Sequence, residues 1–165
     1  TIEHKGHIAA QYRSAIGTRI YGCDDCLSVC PWNKFARASS EVAFIAREDL
    51  IAPKISDLLA FDDAAFRKHF RKSPIKRTGR DRFIRNVLIA AGNSEDSSLE
   101  QPVALLLDDT SALVRAMAVW ALGQLVEAEN FTFYRDRYER QEQDYYVRAE
   151  WRRVILPSDA SKRSA

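Results

Sequence analysis

From residue 55 onward, apolar residues recur at intervals of three and four, a spacing typical of helices with one buried face. The first such helix is predicted after Asp62, whose side chain can cap a helix N-terminus, with Phe66 and Phe70 on its buried face. Ser73-Pro74 predicts its end, because the residue before a proline avoids helical backbone. The larger part of the chain is therefore predicted to be helical.

The helical part contains a repeat. An Ile/Val-Arg pair recurs at Ile84-Arg85, Val114-Arg115 and Val147-Arg148, at spacings of 30 and 33 residues. The apolar positions of residues 84–91 also match those of residues 114–121. A period of this length is typical of α-solenoids, in which helix pairs bury their apolar faces against one another. We predict a short HEAT-like solenoid whose third repeat is truncated or serves as a cap.

Within the repeat, the sequence predicts individual helices and a turn. Residues 99–107 carry the apolar positions of a first helix, residues 108–110 form the turn, and Leu113–Leu125 form a second helix capped by Asp109 or Thr110. Residues 138–151 are predicted to form an amphipathic helix on the last repeat, in preference to a base-stacking surface. From Pro157 on, the polar composition predicts disorder.

The N-terminal 40 residues follow a different pattern. Glycines at positions 6, 17 and 22 predict irregular backbone. All three cysteines of the chain lie here, in Cys23-Asp-Asp-Cys26-Leu-Ser-Val-Cys30-Pro31. We therefore predict a mainly α chain with four parts. They are a cysteine-containing segment (1–40), a linker with a basic helical segment (41–78), the helical repeats (79–156) and a disordered tail (157–165).

Composition narrows the class of protein. With 165 residues and 46% hydrophobic residues, the chain can bury the core of one domain with an appended module. No apolar run approaches the roughly 20 residues needed to cross a bilayer, and the N-terminus lacks the features of a signal peptide. We expect no membrane association and a cytoplasmic location. The missing initiator methionine suggests a piece of a longer protein.

The basic residues are concentrated in one stretch. The net charge is only +2, yet residues 67–85 contain nine Lys and Arg residues against a single acid, Asp81. Such a stretch is commonly a solvated face, but this density is also typical of a nucleic-acid contact. The candidates for phosphate contacts are Lys76, Arg77, Arg80, Arg82 and Arg85. The repeat position of Arg85 alternatively predicts a structural bond to a neighbouring turn.

The cysteine spacing indicates the kind of metal site. Cys-x2-Cys-x3-Cys-Pro departs from the paired knuckles of zinc sites and is similar to the end of the bacterial ferredoxin run. A cubane cluster needs four thiolates, so the three cysteines require ligands from elsewhere. The alternatives are a zinc ion completed by His4 or His7, a redox-active Cys-x2-Cys pair, and three plain thiols. An odd cysteine count disfavours disulfides.

Several motifs together resemble the epoxyqueuosine reductase family, strongly to about residue 125 and loosely to about residue 156. They are Thr1-Ile-Glu-His-Lys-Gly6, Ile20-Tyr-Gly-Cys-Asp-Asp-Cys26, Val29-Cys-Pro-Trp-Asn33, Ser73-Pro74, Arg85-Asn86-Val87 and Gly92-Asn93. The resemblance implies an oxidoreductase that reduces the epoxide of epoxyqueuosine to queuosine at the wobble position of transfer RNA. It also implies the C-terminal part of a ferredoxin-like segment in residues 1–40.

The resemblance further implies two [4Fe–4S] clusters and a cobalamin. Cys23 and Cys26 would ligate one cluster and Cys30 the other, with Asp24 and Asp25 near the corrin. The aspartates would chiefly stabilise the turn through hydrogen bonds, and Trp32 is expected to be a core residue that excludes water. The family's cobalamin-binding half has no counterpart here, so we expect no catalytic residue in this chain and no catalysis by it alone.

The expected partners follow from the same resemblance. They are a transfer RNA anticodon stem-loop and an electron donor such as a flavodoxin or ferredoxin, with the protein a monomer. Two other functions remain open on the sequence. One is a stand-alone iron–sulfur electron-transfer module with helical repeats that dock a protein, and the other is a zinc-stabilised helical RNA binder.

Overall fold

A computed structural model describes residues 4–37 and 47–153, and every regular element in these ranges is helical. The α-helices are α1 (Ala10–Ile16), α2 (Asp25–Ser28), α3 (Ile55–Leu59), α4 (Asp63–His69), α5 (Arg80–Gly92), α6 (Glu100–Ala104), α7 (Ala112–Leu125), α8 (Ala128–Tyr138) and α9 (Tyr145–Arg153). Short 3-10 helices cover Pro31–Phe35, Glu48–Leu50, Pro74–Thr78, Ser97–Leu99, Leu105–Asp108 and Glu139–Gln141. The prediction of a mainly α fold is confirmed.

The core is built around α5 and α7, which pack against each other. Residues 83–92 of α5 are all buried, and so are residues 116–122 of α7. Helices on the interior of a fold are apolar on all sides, which explains the long apolar runs in both segments. Helices α1, α3 and α4 pack on α5, whereas α6, α8 and α9 pack on α7.

The close packing of α5 and α7 depends on Gly92. A methyl group at this position would lie 2.6 Å from Cζ3 of Trp120 and 3.2 Å from Cα of Ala121. Both distances are shorter than van der Waals contacts between carbon atoms. Gly92 therefore sets how closely the C-terminal end of α5 approaches α7.

The predicted cap of α4 is confirmed, and the predicted cap of α7 is wrong. Asp62 Oδ1 accepts a hydrogen bond from the Ala65 backbone N–H at 2.7 Å. Asp109 Oδ1 instead accepts from the N–H of Ser111, the N-cap residue, at 2.8 Å. The aspartate thus closes the turn before α7 and leaves the N–H groups of the helix itself uncapped by a side chain.

Two helices end earlier than the sequence indicates. Helix α4 ends at His69, ahead of the predicted stop at Ser73-Pro74. The first helix of the repeat is α-helical only to Ala104 and continues as a 3-10 helix to Asp108. The apolar pattern does not distinguish these two helix types over a single turn, because their periods differ little.

The amphipathic helix predicted over residues 138–151 is confirmed only in part, because α9 begins at Tyr145 and residues 139–141 form a 3-10 helix. Val147 and Trp151 are 1% exposed, and the Trp151 ring lies 5.4 Å from that of Phe131. The polar partner of this region is Arg115, which donates to the Asp109 carbonyl at 2.9 Å and to both carboxylate oxygens of Glu142. Arg115 thus joins the turn before α7 to the segment that precedes α9.

Some predictions are not tested by these residues. The disorder expected from Pro157 on lies outside the described ranges, and the four-part division of the chain stays a prediction. Within residues 4–37 and 47–153, no helix has the length and apolar character needed to span a membrane.

We expect Gly92→Ala to lower the free energy of unfolding by about 1–3 kcal/mol, because the added methyl overlaps Trp120. Helix propensity alone predicts the opposite sign, a gain of up to about 1 kcal/mol. Denaturant unfolding of the two proteins measures the difference. Gly6→Ala is the control, since its Cβ would meet its nearest atom at an ordinary 3.5 Å. A stabilised Gly92→Ala variant would contradict the packing described here.

Candidate functional site

The cysteines lie on an exposed turn that α2 and the following 3-10 helix form. Gly22 and Asp24 adopt left-handed backbone conformations, with φ of 66° and 50°, and bend the chain into α2. The Asp24 carbonyl accepts from the backbone N–H groups of Leu27 and Ser28 at 2.9 Å. Pro31 begins the 3-10 helix, and the side-chain amide of Asn33 donates back to the Leu27 carbonyl.

The three thiols are all free and differ in exposure. Cys23 and Cys26 are exposed, whereas Cys30 is half-buried. Within the part of the chain that the structure describes, no three His, Cys, Asp or Glu side chains converge as ligands of one metal ion. His4 instead places its Nε2 2.9 Å from the His7 carbonyl oxygen. The two histidines thus contact each other through a side-chain to backbone hydrogen bond.

The two aspartates stabilise the turn through hydrogen bonds, as predicted, and the acceptors are their backbone carbonyls. Asp24 contributes its backbone carbonyl to the turn, and its side chain does not cap α2. Asp25 forms an exposed ion pair with Arg19, with 3.1 Å between Oδ2 and Nη2. Exposed pairs of this kind contribute little to stability, roughly 0–1 kcal/mol. The backbone of the turn, more than these carboxylates, therefore holds its shape.

Trp32 is not a core residue, which corrects the prediction. Its side chain is 72% exposed and contacts Phe35, with ring centroids 5.6 Å apart. Leu27, Val29 and Phe35 are exposed to a similar degree, and every residue from 22 to 29 is exposed. The large apolar residues of this segment are thus exposed, and we call them together the apolar edge: Leu27, Val29, Trp32 and Phe35.

Polar side chains of α5 and of its C-cap residue, Asn93, donate hydrogen bonds to backbone carbonyls of the segment that leads to the cysteines. Asn86 donates to the Ile20 carbonyl at 3.0 Å, and Asn93 donates to the carbonyls of Arg13 and Gly17 at 2.9 Å. Arg85 donates to the carbonyls of His4 and Gly6 at 2.9 and 2.6 Å. In the sequence, Asn86 and Asn93 stand out only as members of family motifs. A polar pair inside an apolar helix was the signal that could have revealed their role.

A buried ion pair holds the same segment from the other side. Arg13 of α1 binds Glu150 of α9 through two hydrogen bonds, of 2.9 and 2.7 Å, and both residues are at least 95% buried. Arg13 also lies over the Trp120 ring, 5.6 Å from its centroid, and donates to the Ile8 carbonyl. Buried charges need such complete pairing, because an unpaired charge in the interior is strongly destabilising.

The structure separates the five predicted phosphate contacts. Lys76 and Arg77 are exposed on the 3-10 helix Pro74–Thr78, and Arg82 is half-buried, with one hydrogen bond to the Arg77 carbonyl at 3.0 Å. Arg80 forms an ion pair with Asp109, with 2.6 Å between Nη1 and Oδ2. Its Nε also donates to the Phe61 carbonyl at 2.9 Å. Four more cations of the same stretch are exposed, of which Arg67 is paired with Asp63: Arg67, Lys68, Arg71 and Lys72.

The predicted phosphate contact of Arg85 is wrong, and the alternative structural role is the one observed. Its side chain is fully buried and is bonded to backbone carbonyls and to Asn86. Burial, with a smaller effect of the Arg82 charge, lowers the pKa of Arg85 to about 10, so it stays charged at neutral pH.

We expect thiol reagents to modify Cys23 and Cys26 in the metal-free protein several-fold faster than Cys30, because only Cys30 is shielded. Stopped-flow labelling resolves the two phases, and Cys30→Ser should remove the slow one. Three equal rates, or fewer than three reactive thiols, would contradict the exposure of the turn.

Comparisons with known proteins agree with the motifs of the turn. No model of a known protein family matches the chain. The epoxyqueuosine reductase of Xanthomonas campestris pv. campestris is 46% identical over 127 residues, covering 75% of this chain and 35% of that protein. The epoxyqueuosine reductase of Alicycliphilus denitrificans is 43% identical over 132 residues, covering 75% of this chain and 37% of that protein.

Solved structures match over a larger part of the chain. A crystal structure of epoxyqueuosine reductase with an epoxyqueuosine-modified stem loop of tRNA-Tyr superimposes with a TM-score of 0.86 and 25% identity. The match covers 93% of this chain and 41% of that one. The chain thus spans little more than a third of the length of its curated relatives. It belongs to the epoxyqueuosine reductase family and corresponds to a C-terminal portion of these proteins.

Proposed function

We propose that this chain is the part of an epoxyqueuosine reductase that supplies iron–sulfur ligands and a docking surface for transfer RNA. The whole enzyme would reduce the epoxide of epoxyqueuosine to queuosine at the wobble position. The observation that carries the proposal is the exposed turn with three free thiols, in a chain related to these enzymes. Because the chain spans little more than a third of its relatives, we infer that it does not catalyse alone.

The donor set of the turn fits iron–sulfur clusters. Such clusters are held by cysteine thiolates, and in two-cluster ferredoxins the cysteine before the proline ligates the other cluster. In that arrangement Cys23 and Cys26 bind one [4Fe–4S] cluster and Cys30 binds a second, in a ferredoxin-like segment. Ligands divided in this way would not converge on one point, and the remaining thiolates would come from elsewhere in the longer enzyme. When bound, the clusters supply one-electron transfer and cobalamin supplies the reducing metal.

The remaining residues of the turn would control the surroundings of the clusters. The potential of a cluster depends on its burial and on hydrogen bonds to its sulfurs. We infer that the apolar edge packs against another part of the longer enzyme, where Trp32 and Val29 would exclude water. Asp24 and Asp25 would then lie near the cobalamin.

The helical body would dock the RNA. Helices α5 to α9 form a HEAT-like scaffold in this proposal, supported by the bonds of Arg115 to the Asp109 carbonyl in the turn before α7 and to Glu142. Lys76 and Arg77, with Arg82 behind them, provide exposed cations that suit phosphate contacts. The structure with which the chain superimposes contains a tRNA stem loop, which supports the same partner here.

Three further proposals concern the whole enzyme. Electrons would come from a flavodoxin or ferredoxin, the enzyme would act as a monomer, and it would reside in the cytoplasm. Each follows from the family alone.

Iron and sulfide analysis tests the cluster proposal. The longer protein that carries this chain, purified without oxygen, should contain about eight irons per chain, and Cys30→Ala should impair one cluster. Ser28→Ala is the control, since it alters the same turn without removing a thiol. Stoichiometric zinc, or no metal at all, would contradict the proposal.

Salt-dependent binding tests the RNA surface. We expect the variant Lys76→Gln/Arg77→Gln to bind an anticodon stem-loop more weakly, and its plot of log K against log salt to lose a slope of about one per phosphate contact. Fluorescence anisotropy at several salt concentrations measures both quantities. Arg148→Gln removes an exposed cation from α9 and should leave the slope unchanged. An equal effect of both changes would mean that only overall charge matters.

A further inference from the structure

Two neighbouring polar residues interrupt the buried run of α5. Arg85 is 0% exposed and Asn86 is 5% exposed, between Ile84 and Val87, which are both fully buried. Burying such groups is costly unless every donor and acceptor has a partner. Nε and Nη2 of Arg85 both donate to Oδ1 of Asn86, at 3.1 and 3.0 Å, so the two side chains form one unit.

This pairing fixes which way the Asn86 amide points. Because Oδ1 accepts two hydrogen bonds from the guanidinium, a flipped amide would place its NH2 group against those donors. Nδ2 must therefore face away from Arg85, where it donates to the Ile20 carbonyl at 3.0 Å. Arg85 in turn holds the carbonyls of His4 and Gly6.

The position of Ile20 makes this bond important. Ile20 lies three residues before Cys23, and it is the closest to the cysteines of the upstream carbonyls that α5 holds. Beyond it, the backbone passes through the left-handed residues Gly22 and Asp24, and the side chains of residues 22–29 are exposed. A segment with little buried surface depends on its few anchors for a defined position.

We propose that Asn86 is a positioning residue for the cysteine turn. Its amide, oriented by Arg85, fixes the turn relative to the helical body through the Ile20 carbonyl. The part of this inference that concerns the position of the turn rests on hydrogen bonds alone. The part that concerns clusters rests on the function proposed above, and there Asn86 sets the environment of the cluster that Cys23 and Cys26 hold.

Asn86→Asp isolates this bond. The aspartate has nearly the same shape and keeps an acceptor for Arg85, but it replaces the donor to Ile20 by an oxygen. Asn86→Ser is the second variant, because its shorter, neutral side chain also loses the reach to Ile20 and adds no charge. Asn93→Asp is the matched control, since it removes the same kind of donor from the Arg13 and Gly17 carbonyls.

Hydrogen exchange of the longer protein, prepared without metal, tests the position of the turn. We expect backbone amides of residues 20–30 to exchange roughly tenfold faster in both Asn86 variants, as for the loss of one buried hydrogen bond, with α7 unchanged. In Asn93→Asp the larger change should fall on α1. Unchanged exchange at residues 20–30 in the two Asn86 variants would overturn the inference, and so would an increase that extends equally to α7.

The iron-loaded protein provides a second, independent measurement. The reduction potential and electron paramagnetic resonance spectrum of one cluster should shift in both Asn86 variants and stay as in the wild type in Asn93→Asp. A shift in the neutral Asn86→Ser separates movement of the turn from the charge that aspartate adds. If the wild-type protein contains no iron, the proposed function is refuted. Hydrogen exchange then decides alone whether Asn86 positions the cysteine turn. Wild-type clusters with unchanged spectra in both Asn86 variants would overturn the cluster role of Asn86 alone.

Discussion

Arg85 is a charged side chain with no exposed surface inside the most deeply buried helix of the described structure, and the arrangement around it depends on how that charge is accommodated. A buried guanidinium is tolerated only when several acceptors surround it, because its transfer out of water is costly. The acceptors here are backbone carbonyls from the irregular N-terminal segment, together with the amide of Asn86. Helix α5 can therefore be buried in this form only if that segment wraps over it, which ties residues 4–20 to the helical body.

The same segment has a second anchor of the same kind. Arg13 and Glu150 pair in the interior between α1 and α9, and Arg13 also covers Trp120 of α7. Two buried arginines thus join the N-terminal segment to the body, one belonging to the segment and one to α5. Downstream of these anchors, the cysteine turn consists of two short helices, and most of its side chains are exposed. The molecule accordingly combines a well-packed body with a turn whose position is set by polar bonds at its base.

Helix caps and amphipathic helices could be predicted from the sequence, whereas contacts between distant segments could not. The cap at Asp62 and the amphipathic α9 follow from interactions within one turn or along one helix face, which the order of residues alone determines. Trp32 was expected in a core because a tryptophan beside a Cys-Pro turn most simply excludes water, but burial requires a partner surface that a sequence pattern does not reveal. Asp109 does not cap α7, because its carboxylate instead accepts a hydrogen bond within the preceding turn. The same side chain is suited to either bond, so its residue type does not show which one forms.

The basic stretch shows how charge density can mislead. Arginine side chains can donate to carbonyls as well as to phosphates, so a cluster of arginines is compatible with either use. Arg80 and Arg85 donate to carbonyls and a carboxylate of the protein itself, which leaves Lys76 and Arg77 as the exposed cations among the five candidates. Polar anchors also have a property that apolar packing lacks, because a hydrogen bond specifies distance and direction together. A site that must hold cysteines in one place relative to a distant helix benefits from that property, which explains why the contacts at its base are carbonyls bound by arginine and asparagine.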